Sequence, residues 1–309
     1  MGNEESGDGA VPLKQSPAEM YLPTGGMRMN DEKGKTPPQS DSQTSRTHIV
    51  KTAFSGIWSN EIPTSPNIPS PRTGHFSCFS DTLKSAIIGF GVGSDGEYYN
   101  DIWVLNPVTR FWACLPTNGQ EISPRSGSRA TVIGNFLFVF GGSREPEFFN
   151  DLYSIDLTTG TTNLIQTTGD IPSPRTSAIF ASSQDGKEII LWGGYDGTWP
   201  SELYSLDTET FVWSSYQQDI SGRTNVAFTT VEDTIYAYGS SKTGGLLTID
   251  MKEHIVRIQP TAGPEPLPTI TDAALVKFDN YLMFIGGKAA TPSTLIYAVN
   301  LESYRWFVF

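Results

Sequence analysis

Four arginines recur at nearly constant spacing, and arginine is the side chain best suited to binding a carboxylate. They are separated by 53, 50 and 48 residues and stand at Arg72, Arg125, Arg175 and Arg223. A planar guanidinium can donate two parallel hydrogen bonds to one carboxylate, which a lysine cannot do. The series therefore predicts one of two roles. Either the arginines bind a carboxylate of another molecule, or each repeated arginine bonds loop carbonyls of the fold itself.

Three aromatic side chains at matching places in the same series could anchor a protein partner. Tyr98, Phe148 and Trp199 each follow one of the arginines by 23 to 26 residues. Aromatic side chains carry much of the binding energy of protein interfaces when a rigid framework presents them on loops. Each is followed by a residue that we expect to pack inward, which leaves these three as candidate partner-binding residues.

Groups for catalysis or metal binding are sparse in this sequence. The histidines are His48, His75 and His254, and the chain contains neither a Cys/His zinc spacing nor a phosphate-binding glycine loop. Carboxylates near the aromatic positions, such as Asp95 and Glu145, read as ordinary solvated charge. We therefore predict no catalytic residue, no metal site and no cofactor.

The arginines and aromatics belong to a longer repeat, whose first marker is a pair of glycines. The pair recurs at Gly141-Gly142, Gly193-Gly194 and Gly286-Gly287, and it is altered to Gly91-Val92 and Gly239-Ser240. Glycine allows positive φ and a close approach of neighbouring backbone. Ahead of one pair, Ala130 to Phe140 is rich in β-branched and aromatic residues. This run predicts two short strands joined by a turn at Gly134-Asn135.

The second marker is an acidic or amide residue followed six positions later by tryptophan. It recurs at Asn106/Trp112, Asp207/Trp213 and Asn300/Trp306. The tryptophan offers a large apolar area for packing one repeat on the next. The stretch that begins with the acidic residue, as in Asp207-Thr208-Glu209-Thr210, is turn chemistry between strands.

Together these markers resemble the kelch repeat. The resemblance covers about residues 54–309, with units at 72–115, 125–165, 175–216, 223–258 and 269–309, and Thr269 takes the arginine's place in the last unit. A kelch resemblance implies an all-β fold, a β-propeller in which each unit is a four-stranded blade around a central channel. We expect about five blades, either as a ring or as an incomplete six-bladed ring.

The resemblance implies a function in protein binding. In such a blade, the loops between the second and third strands leave on the same face as the loops between blades. That face would hold the arginines at the channel rim and the three aromatics, and the resemblance implies that arginines at this rim can bind an acidic peptide segment of a protein partner. We expect a non-catalytic protein-protein interaction scaffold or adaptor. The alternative is a small-molecule enzyme, metal-assisted or sugar-isomerising, with its site at the channel mouth.

Composition limits the other classes of function. The 309-residue chain has a formal net charge of −12, which argues against general nucleic-acid binding. No apolar run approaches the roughly 18 residues of a membrane span, and the start lacks the basic-then-apolar pattern of a secretory signal. Cys78 and Cys114 exclude a disulfide scaffold and are expected to be buried thiols in strands. We therefore expect a cytoplasmic protein.

The first 48 residues differ from the rest in composition. They are rich in Gly, Pro, Ser, Thr and Gln and contain one aromatic residue, Tyr21, so we predict a disordered tail. Met1 to Ser6 matches the pattern for N-myristoylation, which makes Gly2 a candidate lipidation site. Membrane attachment is expected only if Gly2 is acylated.

Residues 54–60 resemble a fourth blade strand without the three strands that should precede it. Trp58 stands ahead of Arg72 much as Trp112 stands ahead of Arg125. Three interpretations fit: the fifth blade borrows this segment, a sixth blade is represented by its last strand alone, or the segment covers an edge. Because a bare strand edge invites association, the oligomeric state stays open.

Overall fold

The computed structural model describes residues 62–290 and 295–309, and these residues form a five-bladed β-propeller. The predictions for the tail at 1–48, for Gly2 and for a closing strand at 54–60 lie outside the described residues. The described ranges contain strands, turns and loops but no α-helix, as expected for an all-β fold. The part of the chain that the structure describes thus offers no helix with the length and hydropathy of a membrane span.

Each blade contains four antiparallel strands that follow one another in chain order, and in blades two and three a two-residue strand also pairs in parallel with the outermost strand. Blade one contains β1 (Phe76–Ser80), β2 (Ser85–Gly89), β3 (Ile102–Asn106) and β4 (Phe111–Leu115). Blade two contains β5 (Asn118–Gly119), β6 (Arg129–Ile133), β7 (Phe136–Arg144), β8 (Glu147–Asp156) and β9 (Thr161–Ile165). The turn between β6 and β7 falls at Gly134-Asn135, as predicted.

The remaining three blades repeat this order. Blade three contains β10 (Thr168–Gly169), β11 (Ile179–Ser182), β12 (Glu188–Trp192), β13 (Leu203–Asp207) and β14 (Val212–Tyr216). Blade four contains β15 (Ala227–Val231), β16 (Thr234–Tyr238), β17 (Leu246–Asp250) and β18 (Ile255–Gln259). Blade five contains β19 (Ala274–Phe278), β20 (Tyr281–Ile285), β21 (Ile296–Asn300) and β22 (Trp306–Val308).

The acidic or amide residue of each repeat closes the turn before the outermost strand. Oδ1 of Asp207 accepts hydrogen bonds from the backbone N–H groups of Glu209 at 3.0 Å and Thr210 at 2.7 Å, and from the Thr210 hydroxyl at 2.8 Å. Asn106 and Asn300 make the same backbone bonds. These are side-chain mimics of a backbone turn, so the repeated residue sets where the last strand begins.

The glycine pair of the first repeat lies one residue earlier than the sequence suggests. The isolated bridges of Val92 with Thr73 and of Ser143 with Ser126 show that Gly91 corresponds to Gly142. Phe90 therefore occupies the first glycine's place, with φ at 63°, and the interpretation of Gly91-Val92 as the pair is wrong. The buried Phe90 ring packs edge-on against Phe76 at 5.2 Å, which fixes a backbone conformation that a side chain rarely adopts.

The fifth unit departs from the predicted alignment in the same way. Thr271 bridges Lys288 as Thr73 bridges Val92, so Ile270 takes the arginine's place and Thr269 does not. Ile270 is buried in the core between blades four and five, where an uncharged side chain needs no anionic partner.

The core consists of apolar clusters between neighbouring blades, and the tryptophan of the repeat lies in two of them. Trp213 of blade three lies 5.8 Å from Phe140 of blade two, and Trp306 of blade five lies 4.9 Å from Tyr238 of blade four. Both tryptophans are buried, as the repeat predicts. The prediction of two buried thiols is wrong for Cys114, which is exposed on β4, whereas Cys78 on β1 is half-buried.

Candidate functional site

The four repeated arginines lie inside the blades and bond to their own repeat. Arg72 donates from Nη2 to Asp101 at 3.0 Å and from Nε to the Ser70 carbonyl at 2.9 Å, and its Nη1 also contacts Asp101. Its side chain is 3% exposed. The guanidinium stacks on the Tyr99 ring at 4.1 Å. Arg72 therefore fastens the loop before β1 to the loop before β3.

Arg125 makes the same set of contacts in blade two. It donates to Oδ1 of Asp151 at 2.5 Å and to the hydroxyl and carbonyl of Ser123 at 2.7 and 3.0 Å. Its guanidinium carbon lies 3.6 Å from the centroid of the Phe149 ring. Tyr99 and Phe149 directly follow two of the candidate aromatics and were expected to pack inward. Each packs beneath the guanidinium of an arginine.

Arg175 and Arg223 are also buried, with fewer acidic contacts. Arg175 donates to the hydroxyl of Ser173 at 2.8 Å and to the carbonyl of Gly193 at 3.1 Å. Arg223 donates to the carbonyl of Gly239 at 3.4 Å. The sequence left two roles open for the arginines. The structure shows the bonds to loop carbonyls of the fold itself.

The three candidate aromatics lie on the loop face, and a fourth aromatic joins two of them. The Tyr195 ring lies 6.0 Å from Phe148 and 5.5 Å from Trp199. Phe148 belongs to blade two, whereas Tyr195 and Trp199 belong to blade three, so the row crosses the seam between blades. We call Phe148, Tyr195 and Trp199 the aromatic ridge. Trp199 is 58% exposed, and Phe148 and Tyr195 are half-buried.

Tyr98 lies in the corresponding loop of blade one, beside a cation instead of another ring. The guanidinium carbon of Arg144, from the β7–β8 hairpin of blade two, lies 5.9 Å from its centroid. An exposed cation–π contact of this length contributes about 0.5–1 kcal/mol. Tyr98 therefore continues the row of aromatic loops around the face, but the described contacts do not bring it onto the aromatic ridge.

Side chains of the loop face tie neighbouring loops together and hold the ridge in place. Ser173 in the loop before blade three donates to Asp196 at 2.6 Å, and Asp196 also accepts from the N–H and hydroxyl of Thr198 at 3.0 and 2.7 Å. Burial raises the pKa of Asp196, but these hydrogen bonds and the nearby Arg175 outweigh it and hold that pKa below its ordinary value. The loop carrying Trp199 is thus braced by an ionised carboxylate.

The central channel opens on the face that carries the start of each innermost strand. A cavity of about 820 Å³ lies there, lined by residues of all five blades. The positions that surround it include Gly74, Gly127, Ser177, Asn225 and Asp272, which all have positive φ. Each of the last four donates its N–H to the carbonyl of the one before, at 2.7, 2.7, 3.2 and 3.0 Å.

Arg129 reaches into this channel, and the repeat pattern gave no sign of it. Its Nε donates to the carbonyl of Ala178 at 3.1 Å, its Nη2 to Asn225 at 3.4 Å, and Asp272 lies near enough to act on its charge. The other blades hold apolar side chains at the equivalent place, namely Phe76, Ile179, Ala227 and Ala274. Since Arg129 is not repeated, only its departure from the apolar pattern of innermost strands could have identified it.

His75 and Lys288 line the same channel mouth. Nδ1 of His75 is buried and has no hydrogen-bond partner among the described residues. Burial and the nearby Arg72 and Arg129 lower the pKa of His75, so the ring is neutral near pH 7. Arg72 is paired with Asp101, so the remaining charges of the mouth are the cations Arg129 and Lys288 and the anion Asp272. The channel mouth is therefore weakly cationic.

The described residues contain no candidate metal centre. No group of three or more His, Cys, Asp and Glu side chains there could hold an ion. The carboxylates that flank the aromatic row lie on separate loop tips. The chemistry that the loop face offers is exposed aromatic area, hydrogen-bonding loops and a cationic channel mouth.

The fold and its loop face define a β-propeller with a rigid, aromatic-bearing surface. A family model described as the KLHDC2/KLHL20/DRC7 Kelch-repeats domain matches residues 25–240, and the chain belongs to this kelch-repeat family. Kelch propellers are typically protein-interaction domains and are generally non-catalytic.

Curated relatives match over short stretches. The chain is 35% identical over 99 residues to Tip elongation aberrant protein 1 of Schizosaccharomyces pombe, which is 32% of this chain and 8% of that protein. It is 36% identical over 92 residues to Host cell factor 2 of Homo sapiens, which is 28% of this chain and 12% of that protein. The matched stretch is therefore a small part of each relative.

Proposed function

We propose that this protein is a non-catalytic interaction module of the cytoplasm, a scaffold or adaptor that binds a protein partner through the loop face of its propeller. The observation that carries the proposal is the aromatic ridge. Trp199 is 58% exposed, yet its neighbour Tyr195 contacts both Trp199 and Phe148, so the exposed ring stands on a fixed support. Aromatic anchors of this kind form the hot spots of protein interfaces.

The rigidity of the loops supports the same proposal. Asn100 donates to the carbonyl of Ile122 at 2.8 Å and Asn150 to that of Pro172 at 3.0 Å, so in blades one and two the chain at the start of the third strand is fastened to the following interblade loop. A surface that is ordered before it binds loses little conformational entropy on association. Little of the favourable contact energy of the aromatic ridge would then be offset by the entropy cost of ordering the loops, so most of it would contribute to affinity.

The partner segment that we propose combines an apolar side chain with a carboxylate. The apolar group would contact the aromatic ridge. The carboxylate would meet Arg129 and Lys288 at the channel mouth, because Arg72, Arg125, Arg175 and Arg223 already use their donors within the blades. Arginine and lysine in a partly enclosed mouth favour an anionic group over a neutral one.

Site-specific photocrosslinking tests the location of the partner surface. A photoreactive phenylalanine analogue is placed at Trp199 and, in a matched control, at Val108, which is 88% exposed on the β3–β4 turn of blade one. Cells expressing each variant are irradiated, and the adducts are identified by mass spectrometry. The proposal predicts a discrete protein adduct from position 199 that position 108 does not give. Equal adducts from both positions, or none from position 199, would contradict it.

The charge of the partner is tested with simple probes. A labelled oligoglutamate peptide is titrated against the wild type and against Lys288→Ala, with oligolysine as the probe of opposite charge and Lys187→Ala as the control variant on the other end of the propeller. We expect oligoglutamate to bind in a salt-dependent way and Lys288→Ala alone to weaken it. Preferential binding of oligolysine would overturn the acidic assignment and leave the ridge proposal standing.

A further inference from the structure

Three of the four repeated arginines directly follow a Ser-Pro step, and the local geometry of that step is the same in blades one, two and three. The steps are Ser70-Pro71, Ser123-Pro124 and Ser173-Pro174. In each, Nε of the arginine donates to the carbonyl of the serine two residues before it, at 2.9, 3.0 and 3.1 Å. The serine backbone therefore has the same position relative to the guanidinium in all three blades.

The serine hydroxyl of this step is bonded in blades two and three. Nη2 of Arg125 donates to Oγ of Ser123 at 2.7 Å, and Nη2 of Arg175 donates to Oγ of Ser173 at 2.8 Å. Ser173 also donates to Asp196 at 2.6 Å. Both serines are half-buried, so in these blades the hydroxyl is part of the structure that holds the arginine.

Ser70 of blade one differs, because its arginine uses the same donor elsewhere. Nη2 of Arg72 donates to Oδ2 of Asp101 at 3.0 Å, and Nη1 contacts the same carboxylate. Ser70 is exposed, and its hydroxyl has no hydrogen-bond partner among residues 62–290 and 295–309. Blade one thus presents to solvent a serine hydroxyl that is held inside the fold in the next two blades.

The chain on both sides of Ser70 has few contacts with the rest of the fold. Residues 66–71 include three prolines, which have no N–H to donate. Over the described ranges, the one hydrogen bond to this backbone is the bond from Arg72 to the Ser70 carbonyl. Ile68, two residues before the serine, is 53% exposed. A segment with so few hydrogen bonds can leave the surface without unfolding a blade.

The corresponding chain of blade two is fastened more firmly. Asn100 donates to the carbonyl of Ile122, which directly precedes Ser123, at 2.8 Å. The N–H of Arg125 donates to the carbonyl of Tyr99 at 3.2 Å. Ile122 is 7% exposed and packs in the core between blades one and two. Moving Ser123 into the active site of another protein would therefore break these bonds and uncover an apolar side chain.

We propose that Ser70 is a substrate site for a proline-directed protein kinase and that its phosphate binds the guanidinium of Arg72. A proline directly after the serine defines the substrates of these kinases, and Pro71 supplies it. In the reaction, Oγ of Ser70 attacks the γ-phosphorus of ATP. A new O–P bond forms as the bond from that phosphorus to the bridging oxygen of ADP breaks, and the hydroxyl proton passes to the catalytic aspartate of the kinase.

The bonds in blades two and three indicate where the phosphate lies. Because the Ser70 carbonyl has the same position relative to its arginine, rotation about the Cα–Cβ bond of Ser70 brings Oγ toward Nη2 of Arg72. The phosphate adds a charge of about −1.5 to −2 and three acceptor oxygens. It therefore competes with Asp101 for the guanidinium. Asp101 keeps the bond from Nε1 of Trp103 at 2.7 Å, so phosphorylation loosens the link between the loop before β1 and the start of β3 without leaving this carboxylate unbonded.

Phosphorylation of the folded full chain by a purified proline-directed kinase with Mg²⁺ and ATP tests the site. The modified residues are identified by peptide mass spectrometry. Each initial rate is divided by the rate for a synthetic peptide of the same local sequence, which removes the sequence preference of the kinase itself. The ratio for Ser70 should exceed those for Ser123 and Ser173 by roughly tenfold or more, because those two serines must first leave their contacts. Equal ratios, or no phosphate on Ser70, would overturn the proposal.

Phosphorus NMR tests the contact with Arg72. The phosphorylated protein and a phosphopeptide of residues 64–75 are titrated through the second ionisation of the phosphate, at about pH 6. The signal of interest is the one that Ser70→Ala lacks. A bound guanidinium stabilises the dianion, so the midpoint should lie about 0.5 pH unit or more lower in the folded protein than in the peptide, which contains the same arginine unconstrained. A midpoint equal to that of the peptide, or above it, would refute the contact.

Discussion

The guanidinium carbon of Arg125 lies 3.6 Å above the ring of Phe149, while the same guanidinium bonds Asp151 at 2.5 Å. The carboxylate and the ring thus hold one cation from two sides, in a site where only 2% of the arginine side chain is exposed. The residue type that can bind a partner's carboxylate is here used to bind the protein's own. This contact is why the proposed partner surface is placed on the aromatic ridge and not on the repeated arginines.

Arg125→Lys should destabilise the propeller. A lysine cannot bond Ser123 and Asp151 together while stacking on Phe149, and it leaves Asp151 with an incomplete partner. We expect a loss on the order of 3 kcal/mol in the free energy of unfolding, measured by urea denaturation. Arg257→Lys, at an exposed i,i+4 pair with Glu253, is the matched control and should change little. Equal effects would contradict the account.

The stability contributed by Asp101 should depend on pH. Burial raises the pKa of Asp101, but the hydrogen bonds from Arg72 and Trp103 outweigh burial and hold it below the ordinary 3.8. A carboxylate with a lowered folded-state pKa stabilises above its unfolded pKa and loses that contribution as the pH falls through the folded value. Asp101→Asn should therefore cost about 1–2 kcal/mol at pH 6.

The difference between the wild type and Asp101→Asn should then shrink as the pH falls below about 4. Urea denaturation of both proteins at pH 6 and pH 3 measures it, and the other carboxylates cancel because both proteins contain them. A difference that stays constant between these pH values would show that the carboxylate charge contributes nothing.

His254 should strengthen the seam between blades three and four. Its Nε2 lies 2.6 Å from Oε1 of Glu188, and its ring stacks on Tyr216 at 4.1 Å with an interplanar angle of 9°. His254→Ala should lower the unfolding free energy by about 1–2 kcal/mol through loss of the stacking and of the hydrogen bond. Thermal denaturation beside Glu253→Ala, a change to the exposed neighbour, measures it; matching melting temperatures would argue against this role.

The two cysteines should react at different rates. Burial raises the pKa of Cys78 to about 12, so its thiolate is scarce at pH 8, whereas Cys114 is exposed on the outermost strand of blade one. Iodoacetamide should modify Cys114 first in the native protein and both alike in urea, as read by peptide mass spectrometry. Faster modification of Cys78 would show that blade one is open in solution.

The sequence contained enough to predict the blades, because turn residues and apolar strands repeat at each unit. Asp207 and the turn at Gly134-Asn135 have the predicted roles, since local hydrogen bonding and backbone conformation determine them. Two alignments were wrong by one residue. Phe90 adopts a left-handed backbone that its type disfavours, and Ile270 follows a threonine that falls near the expected spacing. Tertiary packing decided both positions.

The candidate site was only partly predictable. Phe148 and Trp199 were chosen from their place before a third strand, but Tyr195, which joins them, follows directly after a glycine pair and carried no signal of its own. Arg129 was overlooked because it is unique among the innermost strands. The burial of Arg125 beside Asp151 depends on an interblade loop and strand β8, whose paired residues the sequence separates by 26 positions. Contacts between blades therefore had to come from the structure.

The central claim is that the aromatic ridge binds the partner. The most direct test is an equilibrium titration with the purified protein that photocrosslinking identifies. The wild type, Trp199→Ser and Val108→Ser are compared by isothermal calorimetry, with melting curves to establish that all three are folded. Trp199→Ser should raise the Kd by about 30-fold or more, as expected for a hot-spot aromatic, and Val108→Ser should leave it unchanged. An unchanged Kd for Trp199→Ser would contradict the account.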